Sequence, residues 1–120
     1  MKLREGLCAV LILTGSWYSE ESLKAEGTWV RTKGVMANGQ EFSDNRRTCA
    51  CNLYPLGSWL FVTNMESGKR IIVQVTDRIS EEHGGTRIDL SKSAMEALGG
   101  KQALKDGLLP VKVEKLIKRN

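Results

Sequence analysis

The chain has 120 residues, with 18 Lys and Arg against 14 Asp and Glu, a formal net charge of +4, and 41% hydrophobic residues. That is one globular domain with enough apolar residues for a core that needs no disulfides. Three cysteines including a Cys49-x-Cys51 pair make no disulfide framework, and one histidine leaves too few ligands for a structural zinc site.

The charge excess suits an anionic partner such as a cell wall or membrane surface. Much of it lies in Lys112, Lys115, Lys118 and Arg119, which a solvated chain end explains equally well. No basic stretch is interleaved with stacking aromatics, so nucleic acid is not an expected partner.

Lys2 and Arg4 precede an apolar run from Leu7 to Leu13 that is too short to cross a bilayer as a helix. Two readings stand. Residues 1–14 form a signal or leader segment ahead of a domain over 15–120, or Ala9 to Leu13 leads into, or belongs to, a first buried strand. Ser16 to Ser19 is aromatic and strand-like, and Glu20 to Glu26 is a short polar helical turn or loop. Thr28 to Arg31 reads as a further short strand. Gly34 to Asn45 is irregular and holds the turn dipeptide Asn38-Gly39. Thr48 to Cys51 is a buried strand or a turn of helix, with Cys49 as a small apolar core residue.

Ser58 to Thr63 and Arg70 to Thr76 form a hairpin across Ser67-Gly68. Its alternation puts Ile71, Val73, Val75 and Asp77 on one face, with Thr76 and Arg78 on the other. Asp77 thus ends an apolar row at the rim of a core, where a carboxylate is costly unless it has work or partners. His83 lies on the loop that follows. Arg87 to Leu90 is a short strand or a bridge into a helix, with Asp89 suited to an N-cap or turn. Ser93-Ala94-Met95-Glu96 has the form of a capping box, and Ser91 or Asp89 is an earlier alternative cap. The helix stops at Gly99-Gly100, Gln102 to Asp106 adds another turn, and Leu109 to Leu116 is a final amphipathic strand.

The ordered series Ser16-Trp17-Tyr18, Ala37 to Phe42, Thr48-Cys49-Ala50, Pro55 to Ser58, Val62-Thr63-Asn64, Gly68-Lys69, Thr76-Asp77-Arg78 and Arg87 to Ser91 resembles the rare lipoprotein A family. These are septal-ring lytic transglycosylases on a double-psi β-barrel, a fold shared with barwin-like proteins and expansins. The resemblance implies a mainly β fold, a six-stranded double-psi barrel with one or two short helices, and a groove that holds a peptidoglycan glycan strand. It implies cleavage between N-acetylmuramic acid and N-acetylglucosamine with closure of a 1,6-anhydro ring, needing neither metal nor organic cofactor. Asp77 carries over as the catalytic acid, and one carboxylate serves as acid and then base.

Tyr18, Asn38, Cys51, Arg78 and Asp89 are the expected substrate-binding residues. Trp17, Trp29 and Trp59 join Tyr18 as sugar-stacking or core aromatics. Cys51 stands where the family carries a histidine, and Ile79-Ser80 replaces its usual Gly-Pro, so a glycan-binding barrel without activity is the alternative. The expected location is outside the cytoplasm, in the periplasm, envelope or medium, or cytoplasmic before release for a phage protein.

Overall fold

In the computed structural model, the described residues are 10–26, 34–82 and 85–117. Residues 7–9 of the N-terminal apolar run, the expected strand over residues 28–31 with Trp29, and His83 lie outside them. Among the described residues there are six strands: β1 (Leu11–Tyr18), β2 (Thr48–Ala50), β3 (Trp59–Asn64), β4 (Arg70–Asp77), β5 (Arg87–Ser91) and β6 (Leu109–Lys115). Helix α1 (Glu20–Ala25) follows β1, and α2 (Lys92–Asp106) lies between β5 and β6. The strands close into a barrel in the order β1-β5-β2-β4-β3-β6. Closure leaves no unpaired sheet edge. Two pairs are parallel, β1 with β5 and β2 with β4, and the other four are antiparallel. Parallel neighbours need crossovers, so residues far apart in the chain meet side by side.

The first strand begins at Leu11, paired with Val113 on β6, so the barrel takes in Leu11 to Thr14 as well as residues from Gly15 onward. Alternation holds along most of the barrel. Leu60 and Val62 on β3, Val73 and Val75 on β4, Ile88 and Leu90 on β5, and Val111 and Val113 on β6 are completely buried. Met95 and Leu98 of α2 join this cluster. Gly15 lets β1 and β6 pair closely, because a Cβ there would lie 3.1 Å from the Leu109 carbonyl oxygen.

Helix α2 is capped by Ser91, whose side chain accepts from the Ala94 amide. The capping box at Ser93 and the capping role weighed for Asp89 are therefore not what forms, since the strand runs on to Ser91. Gly100, at φ 71° and ψ −170°, breaks α2 internally, and this is the expected stop followed by a further turn. Ser91 is fully buried, donates to the Arg46 carbonyl at 2.6 Å and accepts from the Thr48 amide at 3.3 Å. Ser91→Ala removes a cap and three partners at once. It should lower the unfolding free energy in urea by about 1–2 kcal/mol.

Candidate functional site

Two features of the barrel wall build the site. The first is a bulge. Cys49 pairs with Val75, but Ala50 pairs with Asp77, so Thr76 is an extra residue on β4. Side-chain alternation shifts by one residue there. Asp77 therefore does not continue the row of Ile71, Val73 and Val75, as simple alternation predicts. Thr76 and Asp77 both turn to the Gly34–Phe42 segment: the Thr76 hydroxyl donates to Met36 Sδ at 3.2 Å, and Asp77 Oδ1 accepts from the Ala37 amide at 3.1 Å.

The second feature is the row that this shift completes. Ser16 pairs with Asp89, Asp89 with Ala50, and Ala50 with Asp77, across β1, β5, β2 and β4. Asp89 sits between the buried Ile88 and Leu90, and so faces outward, away from the barrel interior. Two carboxylates thus flank one alanine, with Cα atoms two strand spacings, about 10 Å, apart. The small Ala50 side chain leaves the floor between them open.

Over this floor lies a cavity of about 420 Å³ whose lining includes Tyr18, Met36, Phe42, Ala50, Asp77, Arg78 and Asp89. Its far wall is the Gly34–Phe42 segment, a tight excursion closed by Met36 N–H to Gln40 O at 2.8 Å and Phe42 N–H to Gly34 O at 2.8 Å. The Asn38-Gly39 turn takes Gly39 to φ 89°, a region glycine occupies without strain. The segment is tied to β4 by the Asn38 amide on the Thr76 carbonyl at 3.1 Å, and to β1 by Phe42, whose ring lies 4.7 Å from that of Tyr18. Asp44 accepts from the Glu20 amide at 2.8 Å, which anchors the start of α1 beside it.

The two acids differ in their partners. Asp89 Oδ1 accepts from the Ser16 hydroxyl and from Arg87 Nε at 3.2 Å, and Arg87 Nε also donates to Ser16 Oγ at 2.9 Å. It is an ion-paired, hydrogen-bonded carboxylate. Asp77 Oδ1 accepts from the amides of Ala37 (3.1 Å) and Arg78 (2.9 Å), and no cation pairs with this carboxylate among the described residues. Arg78 turns its guanidinium to the carbonyls of Cys51 and Tyr54. Asn52 adds two bonds to Ile79, donating to its carbonyl at 2.7 Å and accepting from its amide at 2.8 Å. Arg78 and Asn52 together stitch the rim of the cavity, and Arg78 stays on its wall.

Tyr18 is the remaining polar group in the wall. Its hydroxyl is buried and has no hydrogen-bond partner among the described residues. Burial pushes its pKa well above the ordinary phenol range, and the charge of Asp77 adds to this, with Cys49 and Asp89 contributing less. It stays a neutral donor between two acids.

Of the expected site residues, Tyr18, Arg78, Asp77 and Asp89 meet at this cavity. Asn38 does not line it; its side chain serves its own turn, donating to Gln40 Oε1 at 2.8 Å and accepting from the Gln40 amide at 3.0 Å. Cys51 is completely buried in the barrel core and does not line the cavity either. Trp17 is partly buried against the core, and its indole donates to the Leu104 carbonyl at 3.0 Å. Ser16, Arg87, Met36 and Phe42 were not singled out by their chemistry. The Ser16-Arg87-Asp89 cluster was detectable only as an arginine two residues before an aspartate on one strand face.

Burial raises the pKa of Cys49, and also that of Cys51, where the Leu53 amide and Arg78 offset part of the effect. Both thiols should stay unreactive to a disulfide reagent until the chain unfolds, measured on a Cys8→Ser variant. Groups whose folded pKa is raised hold their protons longer than the unfolded chain does. Stability is then fully present below the ordinary thiol and phenol pKa values and falls as pH rises past them. Urea midpoints should decline from about pH 8.5 upward.

The fold is a double-psi β-barrel with an acid-flanked cavity in its wall. The chain belongs to the lytic transglycolase family, whose model matches residues 12–113. It is 36% identical over 81 residues to the endolytic peptidoglycan transglycosylase RlpA of Neisseria meningitidis, covering 68% of this chain and 32% of that one. It is 35% identical over 104 residues to the same-named protein of Pseudomonas aeruginosa, covering 87% and 27%. An uncharacterized protein of Synechocystis is 36% identical over 81 residues, with 68% of this chain and 81% of that one covered. The chain therefore spans less than a third of the length of these RlpA relatives.

Among solved structures, the Streptomyces papain inhibitor superposes with a TM-score of 0.66 at 20% identity, over 91% of this chain and 96% of that one. A Clavibacter michiganensis expansin mutant in complex with cellohexaose gives 0.60 at 17% identity, over 93% and 52%. At those identities the likeness is one of fold. One barrel serves a protease inhibitor and a glycan-bound protein, so function has to be argued from the site.

Proposed function

We propose that this barrel cleaves peptidoglycan glycan strands lytically, with Asp77 as acid and then base. The observation that carries this reading is the inequality of the two carboxylates in one cavity. Asp89 is engaged by Arg87 and Ser16 and serves to bind and orient a sugar. Asp77 is aimed by two amides on Oδ1, which leaves Oδ2 for the substrate.

In the reaction, protonated Asp77 gives its proton to the glycosidic oxygen as the C1–O bond breaks. The resulting carboxylate then takes the proton of the muramyl 6-hydroxyl as that oxygen bonds to C1. The acid is regenerated and no water is consumed. Tyr18 contributes the wall beside the sugar, with its ring packed on Phe42. The RlpA relatives are named as peptidoglycan transglycosylases, which supports this substrate and an envelope location for the chain.

A second reading, a barrel that holds glycan without cleaving it, is favoured by Cys51, because the residue at the family's histidine position is sealed in the core. The test is incubation with peptide-free glycan strands and mass spectrometry of the ends. New 1,6-anhydro ends support cleavage, and saturable binding without them supports the second reading.

A further inference from the structure

Trp59 plays no part in the cavity, yet half of it is exposed to solvent. A large aromatic left in water marks a contact surface when its neighbours form a patch. On β3, Leu60 and Val62 point inward while Trp59, Phe61 and Thr63 point outward. Across the ladder to β4, Gln74 lies opposite Trp59, Ile72 opposite Phe61, and Arg70 opposite Thr63. On the other side, Glu114 of β6 lies opposite Phe61. Ile72 is 42% exposed, and the Arg70 guanidinium lies 4.2 Å from the centre of the Phe61 ring. The face has an apolar centre bordered by planar polar groups.

We propose that this outer face, centred on Trp59, is a second glycan surface that holds the polysaccharide on which the cavity acts. It rests on the reading of the chain as glycan-active. Three strands by five residues give a patch on the order of 14 by 16 Å, or roughly 220 Å². A stable dimer needs about 800 Å² from each partner, so a second copy of this chain is too large an occupant. A glycan strand fits: the C–H face of one sugar packs on the indole beside Gln74, while hydroxyls of the next meet Glu114 and Arg70 beside Phe61. The face also continues to the cavity, because Gln74 and Asp77 lie on the same strand three residues, about 10 Å, apart. Arg70 and Lys112 outnumber Glu114 on it, which suits a polymer bearing lactyl carboxylates.

The test is co-sedimentation of the full chain with peptide-free glycan strands coupled to agarose beads, for the wild type, Trp59→Ala, Trp59→Tyr, Asp77→Asn and the double variant Trp59→Ala/Asp77→Asn. Trp59→Ala should bind roughly tenfold more weakly, as loss of an aromatic anchor does, while Trp59→Tyr keeps most of the affinity. Adding Trp59→Ala to Asp77→Asn should give the same roughly tenfold loss relative to Asp77→Asn alone, because the two surfaces bind separately. Equal binding by Trp59→Ala, or no sedimentation of the wild type, overturns the proposal. So does a wild-type dimer on gel filtration that Trp59→Ala converts to monomer, because the face would then be an interface between copies. Wild-type cleavage of short soluble glycans reports on the cavity separately, so binding through Trp59 without cleavage would sink the catalytic reading and leave this one standing.

Discussion

Asp77→Asn should cut formation of 1,6-anhydro ends by roughly 10²–10⁴-fold, the usual worth of a positioned general acid–base. Asparagine keeps the Oδ1 acceptor that the Ala37 and Arg78 amides use, so the local structure should survive. What it loses is the transferable proton. Product quantified by mass spectrometry and stability measured in urea separate these effects: activity should collapse while unfolding free energy changes by less than about 1 kcal/mol. Undiminished product would move the acid to Asp89, the other carboxylate of the row. Asp89 is a poor alternative, because the Arg87 cation already pairs with it, whereas no cation pairs with Asp77 among the described residues.

The largest effect on stability is expected from Leu90→Ala. Leu90 is completely buried, paired with Cys49 on one side and Trp17 on the other. Truncation removes apolar contacts and leaves a cavity in a closed barrel whose wall cannot easily collapse inward. A loss of about 3–5 kcal/mol follows, a large fraction of the 5–15 kcal/mol typical of a domain. Urea denaturation measures it directly. A change below about 1 kcal/mol would show that the barrel relaxes around the missing atoms. The substitution also loosens the strand that aims Asp89, so weaker glycan binding should accompany the lost stability.

The histidine position marks where residue matching stops being informative. Matched in order, Cys51 falls at that position and was expected to contact substrate. In the structure its thiol is in the core, and its backbone carbonyl is the acceptor for Arg78. Its part in the cavity is thus indirect, through the rim that Arg78 and Asn52 hold together.

Local signals carried much of the fold. Period-2 alternation located the β3–β4 hairpin, Asn38-Gly39 marked the turn of the cavity wall, and paired glycines marked the break in α2, because these features depend on residues adjacent in the chain. The order of short motifs identified the family and singled out Asp77. The direction of Asp77 was decided elsewhere. Its side is set by the bulge at Thr76, and a bulge arises from how β4 registers against β2, a partner 27 residues away at Ala50. The engagement of Asp89 likewise depends on Ser16, 73 residues distant, brought alongside by the parallel β1–β5 pairing. By itself, the sequence determined which acid to watch. The tertiary structure decided what that acid faces, because side-chain direction at a bulge and the partners of a carboxylate are properties of strand pairing rather than of the chain's local pattern.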